Sequence, residues 1–200
     1  MIATATNKKQ KINITDIISD VIEQITIKSD IFSHIDINRI LVCLGSNRGR
    51  SREGIYGKLV PLKFKNGSDI LKFDGRYYTM PGIMKSGIPL LYALYFYSPK
   101  FFDLPGFEKI KVIFHELYHI SPNFNGDIRR LGKIRMAHGS SKKRFDLRFE
   151  SEVKLFYKYI SNTEYMAFLE MDSMSLEKNY KIYARRMKIP KPIVIKDQNI

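Results

Sequence analysis

The hydrophobic pattern of the first half of the chain predicts one helix followed by four strands. Apolar residues recur at helical spacing within residues 12–32, after the capping pair Thr15-Asp16, so we expect a helix from about Thr15 to Lys28. Its many isoleucines make a strand the alternative. Shorter apolar runs between turn residues predict strands in NRILVCLG, IYGKLVPLKF, GRYYTM and IPLLYALYFY. The last run is rich in β-forming residues and predicts a buried strand, with a short helix as the alternative.

Helical spacing dominates the second half of the chain. It predicts a helix over about 104–120 that ends before Ser121-Pro122, a long helix over about 142–161 and further helix within 163–187. The polar stretch between the first two predicts a loop, and the proline-containing C-terminal tail predicts extended chain. Strands followed by helices indicate an α+β fold, in which a small, mostly antiparallel sheet packs on the helix over 104–120.

Length and composition predict one globular domain. The chain has 200 residues, of which 44% are hydrophobic and 27% charged, a balance typical of folded soluble proteins. We expect a single domain over 1–200, with a core at about 38–150, an N-terminal helix within 12–32 and a helical, basic C-terminal region from about 142. The single cysteine, Cys43, favours a reducing compartment. Without a secretory or membrane-spanning pattern, we predict a cytoplasmic protein with no membrane partner.

The charge balance of the chain is strongly basic. Thirty-four Lys and Arg residues against 20 Asp and Glu give a formal net charge of +14. Such an excess favours anionic partners, and nucleic acid is the first of these to consider. The basic residues are scattered along the chain, however, which is also typical of an ordinary solvated surface.

The segment HELYH, residues 115–119, carries the most specific chemistry of the sequence. On a helix, residues four apart lie on one face, so His115 and His119 can bind one zinc ion, with Glu116 beside a zinc-bound water. The helical wheel supports this interpretation, because it separates a polar face around the histidines from an apolar face. The apolar face contains Phe107, Ile110, Ile113, Phe114, Leu117, Tyr118 and Ile120.

A catalytic zinc ion generally has three protein ligands, so the motif leaves one ligand to find. His138 lies 19 positions after His119, next to Gly139, in a loop long enough to fold back over the helix end. We expect it to be the third ligand. Asp127 and Glu150 are the alternative third ligands. If they are not ligands, Asp127 is expected to form a turn and Glu150 to form an ion pair on a helix. The remaining histidine, His34, we expect at the surface.

The motif and its surroundings resemble a family of phage and archaeal metallopeptidases of the zincin type. The resemblance rests on HELYHI, on the arginine-rich loop that leads to His138, and on VCLGSNRGRS upstream, and it covers about 38–150. It implies a zincin-like fold, with His115, His119 and His138 as zinc ligands and Glu116 as the catalytic base. The HG pair at 138–139, followed by RF, also resembles SprT-like proteases, which act on proteins bound to DNA.

We therefore expect a zinc-dependent metallopeptidase that hydrolyses peptide bonds with a Glu-activated, zinc-bound water. The oxyanion donor is open among Tyr77, Tyr78, Tyr118, Arg129 and Arg130. The buried strand before the motif helix is a candidate for holding an extended peptide substrate. The rival hypothesis is a basic, nucleic-acid-associated protein whose metal site is structural or inactive.

Overall fold

The computed structural model describes residues 9–46, 55–131 and 142–195. Within these ranges the chain forms six α-helices and ten strands. The helices are α1 (Ile14–Lys28), α2 (Gly106–Tyr118), α3 (Lys142–Asp146), α4 (Glu150–Ile160), α5 (Tyr165–Leu169) and α6 (Ser173–Asn179). The strands are β1 (Gln10–Asn13), β2 (Ile40–Ser46), β3 (Gly57–Pro61), β4 (Ile70–Phe73), β5 (Arg76–Thr79), β6 (Met84–Lys85), β7 (Ile88–Pro89), β8 (Tyr92–Ser98), β9 (Tyr180–Tyr183) and β10 (Ile193–Val194).

Helix α1 confirms the first helix predicted from the sequence. Its N-cap is Asn13, whose Oδ1 accepts hydrogen bonds from the Thr15 backbone N–H at 3.2 Å and the Thr15 hydroxyl at 2.7 Å. The isoleucines do not make a strand, because their helical spacing places four of the six on one buried face. That face consists of Ile14, Thr15, Ile18, Val21, Ile22 and Ile25.

The central sheet has the strand order β2-β8-β3 and supports the motif helix. β8 is fully buried over its first five residues, as predicted from its β-forming composition. The sheet is mixed rather than mostly antiparallel, because β2 runs parallel to β8 while β3 runs antiparallel to it. The parallel pair is possible because the long connection between β2 and β8 lets the chain return to the same end of the sheet.

Helix α2 packs against this sheet with the apolar face predicted by the helical wheel. Ile110, Ile113, Phe114 and Leu117 are at most 1% exposed and belong to the main hydrophobic core. Two charged residues of α2 are also buried, Lys109 at 1% and Glu116 at 8% exposure. The buried face is therefore wider than a hydrophobic pattern predicts, and one edge of it carries the carboxylate of the motif.

The prediction of one continuous helix over about 142–161 is wrong. It is divided into α3 and α4, and the chain leaves helical geometry at Phe149, where φ is −130° and ψ is 10°. Phe145 and Phe149 are both buried, at 1% and 0% exposure, and their rings lie 5.8 Å apart. An unbroken helix would place residues four apart along one stripe. The break instead lets both rings pack around the C-terminal half of α2.

The C-terminal region contains one strand within the segment predicted as helix. Helix α6 ends at Asn179, and β9 follows at once because it pairs in parallel with β1 at the other end of the chain. β10 lies in the tail predicted as extended, and it pairs with β5. None of the helices in the described ranges combines the length and the apolarity that crossing a bilayer requires.

Candidate active site

Two imidazoles of helix α2 converge on one point. His115 lies in the last turn of α2 and His119 is its C-cap residue, so the spacing of four brings both rings to one side of the helix. The two Nε2 atoms are 3.3 Å apart, and the ring planes are nearly perpendicular, at 81°. Two nitrogens bound to one tetrahedral zinc ion, each at about 2.0–2.1 Å, also lie roughly 3.3 Å apart.

Asp146 and Phe145, the last two residues of α3, fix the orientation of these rings. The Asp146 carboxylate accepts a hydrogen bond from His115 Nδ1 at 2.7 Å. With its proton on Nδ1, His115 keeps the lone pair on Nε2, which is the nitrogen that faces His119. The ring of Phe145 stacks on His119 at 4.7 Å and contacts His115 at 4.8 Å. Both imidazoles are therefore positioned from outside their own helix.

Glu116 is held against the outer edge of strand β3. Its Oε2 accepts a hydrogen bond from the Leu59 backbone N–H at 2.9 Å. The side chain passes over Gly57, where an added Cβ would lie only 2.8 Å from Glu116 Cγ. The space for the carboxylate thus exists because residue 57 has no side chain, and the hydrogen bond holds the carboxylate beside the two imidazoles.

The alternative ligands proposed from the sequence are engaged elsewhere. Asp127 is 6% exposed, and both its carboxylate oxygens accept hydrogen bonds. The donors are Asn66 N at 2.8 Å, Ile128 N at 2.7 Å and Arg130 Nη2 at 2.7 Å. Glu150 forms an ion pair with Lys154 one helical turn away, at 3.0 Å. Its pKa is lowered mainly by that hydrogen bond. These partners account for both carboxylates without a metal ion.

His138 lies outside the described residues, so its role as third ligand stays a prediction. His34, which we expected at the surface, is half-buried. Its Nε2 has no hydrogen-bond partner within the part of the chain that the structure describes. Burial, together with the nearby charge of Arg129, lowers its pKa and keeps the ring neutral.

The candidate oxyanion donors lie in three different environments. The ring of Tyr118 packs against Phe145 at 5.1 Å, as its place on the apolar face predicts. The Arg129 guanidinium lies over that ring at 4.2 Å, and its Nε donates to the Tyr118 carbonyl at 2.9 Å. Arg130 is paired with Asp127, and Tyr77 and Tyr78 lie on strand β5, outside the central sheet. None of these contacts identifies an oxyanion donor.

The donor set fits a transition metal ion. Two imidazoles with converging Nε2 atoms, one of them oriented by a carboxylate, are typical of a zinc site with its supporting group. In the described residues no group of three or more His, Cys, Asp or Glu side chains is arranged to hold a metal. Two imidazoles alone are fewer than the three protein ligands that a catalytic zinc ion generally has.

The motif is evident in the sequence, but the residues that hold its side chains in place are not. Asp146, Phe145, Gly57 and Leu59 all contact the motif side chains. Nothing in the local pattern marks Gly57 or Leu59, which act through the backbone of a strand. The pair Phe145-Asp146 follows the predicted third ligand closely, which is the one signal that could have drawn attention to it.

These features define a class of protein: an α+β domain in which one helix presents two converging imidazoles beside a buried carboxylate. Comparison with protein families adds the family itself. The model described as "Putative phage metallopeptidase" matches residues 9–167, so the chain belongs to this family. The family expected from the sequence is thereby confirmed, over a longer stretch than predicted. No curated protein and no solved structure gives a significant match.

Proposed function

We propose that the chain is a zinc-dependent peptidase of the zincin type. His115 and His119 are two of the zinc ligands, His138 is the third, and Glu116 is the catalytic base. The observation that carries the proposal is the 3.3 Å separation of the two Nε2 atoms, next to a carboxylate held by a backbone N–H. Membership in a metallopeptidase family supports the same reaction class.

The metal and the motif residues divide the chemistry between them. A bound zinc ion supplies a Lewis acid that polarises the scissile carbonyl and makes water more acidic. Asp146 keeps the proton of His115 on Nδ1 and thereby keeps Nε2 available as a ligand. Glu116 removes a proton from the attacking water and delivers it to the leaving amine nitrogen. Its burial at 8% exposure limits competing solvent around the carboxylate.

The strand available to bind an extended peptide substrate is not the one expected from the sequence. The strand before the motif helix, β8, is central and is paired on both edges, so it has no edge to offer a peptide. Immediately before and after β3, even-numbered residues are hydrogen-bonded towards the β8 side: Tyr97 N donates to Tyr56 O, and Leu62 N donates to Leu91 O. The even-numbered residues of β3 therefore also face β8. Gly57 and Leu59 therefore face outward, where Leu59 already contacts Glu116. We propose that an extended peptide pairs with the backbone groups of this outer edge that Glu116 leaves open.

The test of the proposal compares Glu116→Gln with Glu108→Gln on the same helix. Glu108 is exposed, so its substitution controls for the loss of one negative charge on α2. Glu116→Gln should retain zinc and lose peptide or casein cleavage by at least about 100-fold, the scale of a lost general base. Glu108→Gln should cleave at the wild-type rate. Equal cleavage by both variants would refute the assignment of Glu116.

The rival hypothesis gives a different result in the same experiment. If the metal site is structural and the protein acts through its basic surface, wild-type protein and both variants should all bind zinc without cleaving any peptide. Absence of cleavage in wild-type protein loaded with zinc, over a range of unfolded protein substrates, would therefore contradict the peptidase proposal. Cleavage that Glu116→Gln abolishes would exclude an inactive site.

A further inference from the structure

A small three-stranded sheet outside the central sheet carries an unusual amount of exposed apolar surface. We call this sheet the arm; it consists of β4, β5 and β10, in the order β10-β5-β4. All four residues of β4 are exposed. The large apolar side chains exposed on the arm are Ile70 at 48%, Leu71 at 37%, Phe73 at 67%, Ile193 at 52% and Val194 at 48%. Leu71, Phe73 and Val194 share one face of the arm, and Ile70 and Ile193 share the other. Exposed apolar side chains grouped in this way mark an interaction surface.

The free edge of the arm is closed to pairing with another strand at one of its two outward-facing residues. The Tyr77 carbonyl accepts from Ile195 N at 2.9 Å, so Tyr77 faces β10 and the neighbouring positions Arg76 and Tyr78 face β4. In β4 this register leaves Ile70 and Lys72 facing outward. The Ser68 hydroxyl occupies both backbone groups of Ile70, donating to its carbonyl at 2.7 Å and accepting from its N–H at 3.2 Å. A partner is therefore expected on the faces of the arm rather than at its edge.

Each face of the arm combines an aromatic ring with a cation. On one face Lys72 lies opposite Tyr77, with its Nζ 5.3 Å from the ring centroid. On the other face Phe73 lies opposite Arg76, beside the turn at Asp74-Gly75. Among the described residues neither Lys72 nor Arg76 forms a salt bridge. The ring of Phe73 is exposed, whereas that of Tyr77 is half-buried. An unneutralised cation beside an exposed ring is suited to a ligand that carries both negative charge and flat apolar groups.

We propose that the arm binds single-stranded nucleic acid. The binding face is the one that Phe73 shares with Arg76. A base would stack on Phe73, whose ring is the most exposed of the arm, and a phosphate would pair with Arg76. Such binding is tolerant of sequence, because every base has a π-face. The net charge of +14 brings a polyanion to the surface. An acidic protein segment would match the charge and the aliphatic residues, but it gives no role to the paired rings and cations.

The experiment measures binding of a fluorescent oligothymidylate of about 12 nucleotides to the whole chain by anisotropy, over a range of salt concentrations. Phe73→Ala should weaken binding about five- to 100-fold, the range of one lost stacking contact. Arg76→Ala should reduce the slope of log affinity against log salt by about 0.7, whereas Lys72→Ala, on the opposite face of the arm, should leave that slope unchanged. Asp74→Asn, which removes the one carboxylate of the turn and tolerates its φ of 47°, should strengthen binding.

Lys158→Ala is the matched control, because Lys158 is an exposed lysine on helix α4, away from the arm. It should leave both the affinity and the salt slope at wild-type values. Loss of affinity equal to that of Arg76→Ala would show binding by diffuse charge and would overturn the proposal. A chain that does not bind the oligonucleotide would also overturn it, and the arm would then be a surface for a protein partner. Neither result depends on peptidase activity.

Discussion

At the scale of single residues, the site depends on a carboxylate that lies outside the motif. Asp146 accepts the Nδ1 proton of His115 at 2.7 Å and comes from a different helix, 31 positions further along the chain. A ligand histidine that is not held in this way can expose either nitrogen to the metal. Orientation by a carboxylate typically contributes a factor of 10–100 in metal affinity.

Asp146→Asn should therefore weaken zinc binding about 10- to 100-fold, because the amide is a poorer acceptor and can also present a donor to His115. The affinity is measured by competition with a chromogenic chelator. Glu150→Gln is the control, since Glu150 is paired with Lys154 and should bind zinc as the wild type does. Unchanged affinity in Asp146→Asn would contradict the positioning role, and weakened affinity in Glu150→Gln would favour that residue as a ligand.

Lys109 is the second residue whose role becomes clear only in the structure. Its ammonium is 1% exposed and donates to the carbonyls of Leu169 at 2.6 Å and Met171 at 2.7 Å. Burial lowers the pKa of Lys109 from 10.5 to about 8, against the opposing charges of Glu170, Asp103 and Asp172. A neutral amine keeps two N–H donors, so both hydrogen bonds survive deprotonation.

This lowered pKa predicts a pH dependence of stability. The unfolded chain binds the proton more tightly, so the contribution of Lys109 is complete above pH 10.5 and is lost as the pH falls to about 8. The free energy of unfolding of the wild type, minus that of Lys109→Met, should rise by up to about 3 kcal/mol between these two pH values. Urea unfolding measures it, with Lys158→Met as the exposed control. A difference that does not vary with pH would contradict the burial of the charge.

At the scale of elements, strand β3 and helix α2 form the site together. β3 supplies two backbone features: the Leu59 N–H that holds Glu116, and the bare Cα of Gly57 that leaves room for it. Gly57 has no positive φ, so the backbone there is open to any residue and only the space requires glycine.

Gly57→Ala should consequently impair catalysis more than folding. The new Cβ would lie 2.8 Å from Glu116 Cγ and 3.1 Å from its Oε1, which forces the carboxylate to move. A displacement of about 1 Å in a catalytic group can reduce turnover about 100-fold. The turnover number and the zinc content are measured together, and zinc should be retained. Gly82→Ala is the control, because nothing lies within 4 Å of a Cβ there. Wild-type turnover in Gly57→Ala would contradict this account of the β3–α2 contact.

The sequence predicts those elements whose patterns are local. Helix α1, the buried strand β8 and the two-sided helix α2 all follow from spacing alone. The parallel pairing of β2 with β8 and the strand β9 depend on partners far along the chain, which no local pattern contains. The break between α3 and α4 arises for the same reason, since burying Phe145 and Phe149 around α2 outweighs the preference for a continuous helix.

The same distinction separates the predicted and the missed parts of the site. HELYH is a local pattern, and its two imidazoles do converge as the spacing of four requires. Asp146, Leu59 and Gly57 reach the site only through the tertiary fold. The sequence also does not determine that Asp127 pairs with Arg130 and Glu150 with Lys154, because the spacing only permits these ion pairs.

At the scale of the whole molecule, the family match and the C-terminal segment cover different parts of the fold. The match over residues 9–167 contains α2, β3 and Asp146, and therefore the described part of the site. The segment beyond it runs along the edge of β2, where Leu44 N donates to the Arg185 carbonyl at 2.8 Å, and it reaches the arm through β10. The proposed cleavage site and the proposed nucleic-acid-binding arm thus belong to one chain, but they can be tested separately.

The central claim of this account is that two imidazoles from adjacent helical turns bind one zinc ion. The most direct measurement is the zinc content per chain, by mass spectrometry of metals after gel filtration, of the wild type and of the double variant His115→Ala/His119→Ala. The account predicts about one zinc ion per wild-type chain and only background zinc in the folded double variant. A wild-type chain that takes up no transition metal, or a double variant that holds as much zinc as the wild type, would contradict it.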